Sequence, residues 1–238
     1  MSETGEDKPK LLFLAGFGDD NSQFAGLQNT RLAEIVDLQL LNLPGFGAPP
    51  LAGPTTLASL GFFVAGEARK IGVEYVVAHS LSSVIGSMAV GFPGSPLKAI
   101  VSLEGNLTAA DAYYSGTAAD HATPEEFRTA FLARLDARAE TDPHAARYRD
   151  AVARADPKAL WELGCDAKAF SEQTEPGNIL QAIGHVHYLY NPDNLPAESI
   201  AWLEAHPIPR TVAPGASHAI AVDQPEVLSD FLLNLFGE

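Results

Sequence analysis

Six short runs of apolar residues are spread along the chain, and segments with helical periodicity lie between most of them. The runs cover residues 10–15, 38–42, 74–79, 98–104, 186–191 and 209–213. Apolar runs of this length are typical of strands that are buried on both faces of a sheet. Their alternation with helices predicts an α/β fold built on a mostly parallel, doubly wound sheet.

The stretch 107–177 breaks this alternation, because nearly all of its signals are helical. Three helix starts can be recognised there, each a Thr or Asp followed by Pro at the first helical position. They lie at residues 123–124, 142–143 and 156–157. We therefore expect a group of helices inserted between the fourth and fifth apolar runs.

Ser80 lies between the third apolar run and a segment with clear helical periodicity, which Gly91 and Pro93 end. Ala78 and Ser82, two positions away on either side, are small, as a sharp strand-to-helix turn around a nucleophile requires. A helix beginning there also places a backbone N–H and the positive end of its dipole beside the serine. By itself this pattern fits a serine that caps an ordinary helix equally well.

Three further segments lie where turns at one edge of a parallel sheet are expected. A Gly-rich turn at 16–18 follows the first run, and a Pro-Gly turn at 43–47 follows the second. His218 follows the last run, in a small-residue segment that precedes an amphipathic helix. Asp223 and Glu226 form a capping box at the start of that helix.

Along the chain these four motifs follow one another as the turn at 16–18, the turn at 43–47, the turn at Ser80 and the segment of His218. With the motifs in this order, the chain resembles the α/β-hydrolase superfamily over nearly its whole length. Two departures from the usual pattern are visible. The first turn opens with Ala15-Gly16 where His-Gly is usual, and the turn around Ser80 lacks its two customary glycines. Neither departure removes a catalytic group.

The resemblance implies a helical cap, or lid, inserted after the sixth strand of the superfamily's sheet. The cap would be residues 107–177, and the hydrolase core would be residues 1–106 and 178–238. A cap in this position would exclude water from the active site and shape the substrate pocket.

The resemblance also implies a catalytic triad, since a serine hydroxyl needs a base and the base needs an orienting acid. Ser80 is the predicted nucleophile and His218 the predicted base. For the acid we favour Asp193, which follows the fifth apolar run. Glu104, at the end of the fourth run, is the alternative, because some related families place the acid there.

The predicted oxyanion hole consists of the backbone N–H groups of Phe17 and Leu81. Gly16 and Asn106 are predicted to contact the substrate, Asn106 through a polar group of the substrate. His79, next to the nucleophile, is expected to be a packed neighbour without a role in proton transfer. No metal and no organic cofactor are expected.

These residues together predict a serine hydrolase of carboxylesterase type. The substrate would be a carboxylic ester, lactone or thioester, cleaved through an acyl-enzyme. Two alternatives remain open at this point. One is a hydrolase or lyase that uses the same triad on C–C bonds, and the other is a ligand receptor with low turnover on the same fold.

The amino-acid composition limits the kinds of binding partner and the cellular compartment that we expect for this protein. The formal net charge of −15 disfavours nucleic acid and anionic membranes, which both attract clustered Lys and Arg. A single cysteine, Cys165, excludes an intramolecular disulfide and fits a reducing compartment. No apolar run reaches the length of a membrane span, and Met1–Lys10 is unlike a signal peptide. We expect a cytoplasmic monomer or homodimer that acts on a small molecule.

Overall fold

A six-stranded parallel sheet forms the centre of the protein in the computed structural model, which describes residues 8–236. The strands are β1 (Lys10–Leu14), β2 (Asp37–Leu41), β3 (Leu43–Pro44), β4 (Gly47–Ala48), β5 (Tyr75–His79), β6 (Ala99–Leu103), β7 (Val186–Tyr190) and β8 (Arg210–Val212). The two-residue strands β3 and β4 pair only with each other, and the other six form the sheet in the order β2-β1-β5-β6-β7-β8. The predicted α/β fold with a parallel sheet is confirmed.

Ten helices connect these strands within residues 8–236. They are α1 (Arg31–Ile35), α2 (Leu57–Ile71), α3 (Ser82–Gly91), α4 (Pro124–Ala139), α5 (Pro143–Arg154), α6 (Pro157–Gln173), α7 (Pro176–Ala182), α8 (Ala197–Ala205), α9 (Ile220–Asp223) and α10 (Pro225–Phe236). Short 3-10 helices lie at Asn21–Asn29, Ala109–Ala112, Ser115–Asp120 and Pro192–Asn194.

The sheet is doubly wound, with helices on both of its faces. Successive side chains of each strand point to opposite faces, so one strand contributes to both layers. In β1, Leu12 and Leu14 pack into one apolar layer, with α2, α3, α7 and α8. Leu11 and Phe13 pack into the other, with α1, α9 and α10. Burial on both faces explains why the strands read as continuous apolar runs in the sequence.

The predicted helical insertion is present between β6 and β7. Helix α4 packs against both α5 and α6, and each of the three begins with a Thr or Asp cap followed by Pro. The predicted boundary between residues 177 and 178 falls inside α7, which packs against α3 of the sheet layer. Treating residues 107–177 as a separate cap unit therefore remains a prediction.

Within residues 8–236, none of the helices combines the length and the apolar character needed to cross a membrane. Most of the polar N-terminal segment, which we expect not to be a signal peptide, lies outside the described residues.

Candidate active site

Ser80 lies in the sharp turn that joins β5 to α3. Its backbone has φ of 53°, a left-handed conformation that L-residues with a Cβ rarely adopt. The surrounding contacts hold it there: its N–H donates to Leu103 O at 3.0 Å, and its carbonyl accepts from Ser83 N at 2.9 Å. Neighbouring Ser82 donates to the carbonyl of Ala15. Backbone strain of this kind is concentrated at functional sites.

Glu104 shares this unusual backbone conformation, with φ of 44°. Within residues 8–236, it and Ser80 are the non-glycine residues with positive φ. Each of the two follows directly on a strand, and those strands, β5 and β6, are neighbours in the sheet. The two strained residues therefore meet at the carboxyl edge of the sheet, where open α/β sheets bind their ligands.

His218 pairs with Glu104. Its Nδ1 lies 2.7 Å from Glu104 Oε2, and the Glu104 side chain is buried. The other carboxylate oxygen, Oε1, accepts from Asn191 N at 2.9 Å and from Asn194 Nδ2 at 2.8 Å. Because a carboxylate can only accept, the imidazole carries a hydrogen on Nδ1 and leaves Nε2 free to act as a base.

The preference for Asp193 as the acid is thereby corrected. Asp193 is exposed. Its backbone N–H donates to Asn191 Oδ1 at 3.3 Å, and its carboxylate makes no hydrogen bond within residues 8–236. The turn after β7 does contribute to the site, through the backbone N–H of Asn191 and through the side-chain amides of Asn191 and Asn194. Asn191 and Asn194 bind Glu104, and both also donate to the carbonyl of Ala216, two residues before His218.

One cavity brings together most of the predicted site residues. It is lined by Gly16, Phe17, Ser80, Leu81, Asn106 and His218 from the sheet side. Tyr113, Tyr114, Arg138, Arg147 and Tyr148 line it from the inserted segment. Within residues 8–236 no hydrogen bond joins Ser80 to His218. Hydrogen bonds between catalytic groups commonly tighten only when substrate binds.

The backbone N–H groups predicted for the oxyanion hole are available. In the described part of the chain neither Phe17 N–H nor Leu81 N–H has a hydrogen-bond acceptor, and both residues line the cavity. Gly16 is required beside them, because a Cβ there would lie 2.7 Å from His79 Nδ1 and 3.3 Å from Ser80 Cβ. Asn106 Nδ2 is a further buried donor on this cavity, and it has no hydrogen-bond partner among residues 8–236.

Helix α5 holds the turn that carries Phe17. Arg147 binds the buried Asp19 with both terminal nitrogens, at 2.9 and 2.5 Å. Tyr148 donates its hydroxyl to the carbonyl of Phe17 at 2.6 Å, and Arg154 binds Asp20 at 2.6 Å. The sequence pattern did not predict these contacts of α5.

The charge of the Asp19 carboxylate depends on its contact with Arg147. Burial raises the pKa of its carboxyl above the ordinary value of 3.8, although Arg147 beside it acts in the opposite direction. A buried carboxylate that loses its only cationic partner is strongly unfavourable. The pair therefore keeps the turn and α5 together as long as both groups are charged.

Replacing Arg147 with Met is expected to lower the free energy of unfolding at pH 7 by about 3 kcal/mol, because it leaves the Asp19 charge buried and unpaired. Urea unfolding followed by circular dichroism measures this loss. The same substitution combined with Asp19→Asn should recover most of it, since no charge is then stranded.

The loss should also shrink toward acid pH. The pKa of Asp19 in the folded variant is raised above its unfolded value, so protonation favours the folded state. Stability then falls as the pH rises through that raised pKa. A loss of equal size at pH 5 and pH 8, or no recovery in the double variant, would contradict the assignment.

No protein-family model matches this sequence, and no curated protein matches it. Solved structures do match. An esterase from Thermogutta terrifontis has 16% identity and a TM-score of 0.72, with 99% of this chain and 95% of that one covered. An esterase from Exiguobacterium antarcticum has 12% identity and a TM-score of 0.75, with 97% and 92% covered.

An enol-lactonase from Burkholderia xenovorans is similar over the same extent. It has 15% identity and a TM-score of 0.72, and 100% of this chain and 94% of that one are covered. At these identities the likeness shows that the fold is shared, and it extends over the inserted helices as well as the sheet.

Proposed function

We propose that this chain, which has the α/β-hydrolase fold, is a serine hydrolase that cleaves a carboxylic ester, lactone or thioester. The observation that carries the proposal is the cavity shared by a strained serine and a histidine whose Nδ1 is held by a buried carboxylate. Two of the similar solved structures are esterases and one is an enol-lactonase, which supports this class of reaction.

In the proposed acylation step, Ser80 Oγ attacks the carbonyl carbon of the substrate. His218 Nε2 takes the hydroxyl proton and then delivers it to the leaving oxygen or sulfur. Glu104 keeps the hydrogen of His218 on Nδ1 and stabilises the imidazolium that forms. Glu104 replaces Asp193 in this role because it is the carboxylate within hydrogen-bond distance of the ring.

The tetrahedral intermediate would be bound by the backbone N–H groups of Phe17 and Leu81. Neither has an acceptor within the described residues, so each is free to bind a developing oxyanion. Loss of one such donor costs other acyl-transfer enzymes about 3 kcal/mol of transition-state stabilisation. Tyr148 and Arg147 hold the turn that carries the first of these donors.

Asn106 is proposed as a donor to the substrate. It is almost completely buried, it lines the cavity, and its Nδ2 has no hydrogen-bond partner in the described part of the chain. A buried donor without a partner is costly, and a ligand oxygen would remove that cost.

In the proposed deacylation step, water attacks the acyl-enzyme with His218 as the base, and Ser80 is regenerated.

Covalent labelling tests the proposal directly. A fluorophosphonate probe should modify the folded protein, and mass spectrometry of its peptides should place the adduct on Ser80. Hydrolysis of 4-nitrophenyl acetate, butyrate and octanoate, measured in parallel, reports turnover.

An adduct at another residue, or no adduct on the folded protein, would contradict the mechanism. An adduct on Ser80 without turnover of any ester, lactone or thioester would favour cleavage of C–C bonds or a ligand receptor instead.

A further inference from the structure

Two buried side chains connect the turn at Gly16 with the loop that carries His218. Gly16 N–H donates to Gln23 Oε1 at 3.2 Å, and Gln23 Nε2 lies 2.8 Å from His79 Nδ1. On the far side of the same ring, His79 Nε2 lies 2.7 Å from the carbonyl oxygen of His218. Gln23 and His79 are 1% and 6% exposed, so water does not compete for these contacts.

The two ends of this network determine where its hydrogens lie. The carbonyl of His218 can only accept, so His79 Nε2 must carry a hydrogen. A neutral ring then presents a lone pair at Nδ1, which must accept from the amide nitrogen of Gln23. That orientation directs Gln23 Oε1 to the N–H of Gly16, which can only donate. The assignments made from the two ends agree.

The surroundings keep His79 neutral. Burial is the main reason that its pKa lies well below the ordinary 6.5, and the neighbouring His218 acts in the same direction. The two imidazole rings are 4.6 Å apart between centroids. A second cation at this distance would oppose formation of the His218 imidazolium, so a neutral His79 suits the proposed proton transfer.

The network joins two loops that the sheet does not join. The turn at Gly16 follows β1, and the loop of His218 follows β8, and three strands separate these two in the sheet. The hydrogen bonds of Gln23 and His79 run directly between the two loops, through the side chain of the residue that precedes Ser80.

We propose that Gln23 and His79 are positioning residues. They hold the turn at Gly16, which carries the Phe17 donor, and the loop of His218 in fixed positions around Ser80. This role rests on the proposed hydrolase function. Neither residue touches the reacting atoms. Both act through the backbone: Gln23 through the N–H of Gly16, next to the Phe17 donor, and His79 through the carbonyl of His218. This assigns a role to His79, which from sequence alone we expected only to pack.

The positions of the hydrogens can be measured on the unaltered protein. With ¹⁵N-labelled histidine, NMR correlation spectra of the folded protein should show His79 with a hydrogen on Nε2 and a bare Nδ1 between pH 7 and pH 9. A hydrogen on Nδ1 of His79, or titration of its ring in this range, would overturn the proposal without any variant.

Gln23→Met tests the consequence for catalysis, because the new side chain has a similar shape but can neither donate to His79 Nδ1 nor accept from the N–H of Gly16. We expect the turn at Gly16 to lose its link to His79, and through His79 to the loop of His218. A displacement of the two loops should lower kcat for 4-nitrophenyl esters by about 10²-fold with little change in KM.

Ser229→Ala is the matched control. Ser229 is buried and accepts a similar hydrogen bond, from Leu32 N at 3.2 Å, but it lies on α10 away from the cavity. It should lose stability without changing kcat. If unaltered protein is labelled at Ser80 while Gln23→Met keeps normal kcat, the positioning role is wrong. If unaltered protein is neither labelled nor active, the hydrolase function itself is wrong.

Discussion

Ser80→Ala is expected to reduce kcat for 4-nitrophenyl esters by about 10⁴- to 10⁶-fold, because no acyl-enzyme can form without the hydroxyl. A residual rate above that of water would come from the oxyanion donors and from binding alone. Steady-state hydrolysis at pH 8, with the substrate's own hydrolysis subtracted, measures the change. Fluorophosphonate labelling should disappear in the same variant.

Ser87→Ala is a suitable control for this experiment. Ser87 is a buried serine of α3, and its hydroxyl donates to the carbonyl of Ser83 within the helix. Its removal should leave both labelling and turnover intact. Substantial turnover by the Ser80 variant would mean that another group is the nucleophile, and the strain at Ser80 would then need a different explanation.

The second large effect is expected at Glu104. Glu104→Gln should reduce kcat by about 10⁴-fold, as the equivalent change does in another triad. The new amide can keep its oxygen on Asn191 and Asn194 while presenting its NH₂ group to His218 Nδ1. The imidazole would then carry its hydrogen on Nε2, where it cannot accept the proton of Ser80.

Asp193→Asn is the matched change from a carboxyl group to an amide. Because Asp193 is exposed and its carboxylate makes no hydrogen bond within the described residues, kcat should stay within about twofold, as for most surface substitutions. Unfolding curves for both variants check that each is folded. A greater loss in the Asp193 variant than in the Glu104 variant would restore the original preference.

The choice between these two acids shows what a linear pattern can and cannot decide. Both residues follow an apolar run, so both were expected at the carboxyl edge of the sheet. Position along the chain favoured Asp193, since the superfamily that the chain resembles most often has its acid there. Asn194, directly after Asp193, has a side-chain amide that can donate to a carboxylate, and this was the available signal for Glu104.

The residues that link distant segments left no signal in the sequence. Gln23 is a polar residue in an ordinary polar stretch, and Arg147 and Tyr148 lie on a helix whose pattern indicates only that it is amphipathic. Their contacts join residues more than 50 positions apart, in the case of Gln23 with His79, and more than 120 in that of Arg147 with Asp19. Such pairs become visible only when both partners are placed in space.

The sequence by itself determined the parallel sheet, the helical insertion, the turn at Ser80 and the place of His218 after the last strand. Each of these depends on local features: buried strands must be apolar, helices need caps, and a sharp turn needs small neighbours. The tertiary structure alone decided which carboxylate meets His218, how α5 holds the turn that carries Phe17, and which hydrogen bonds join that turn to the loop of His218. Those outcomes depend on distances between side chains from different strands, and hydrophobic periodicity does not encode such distances.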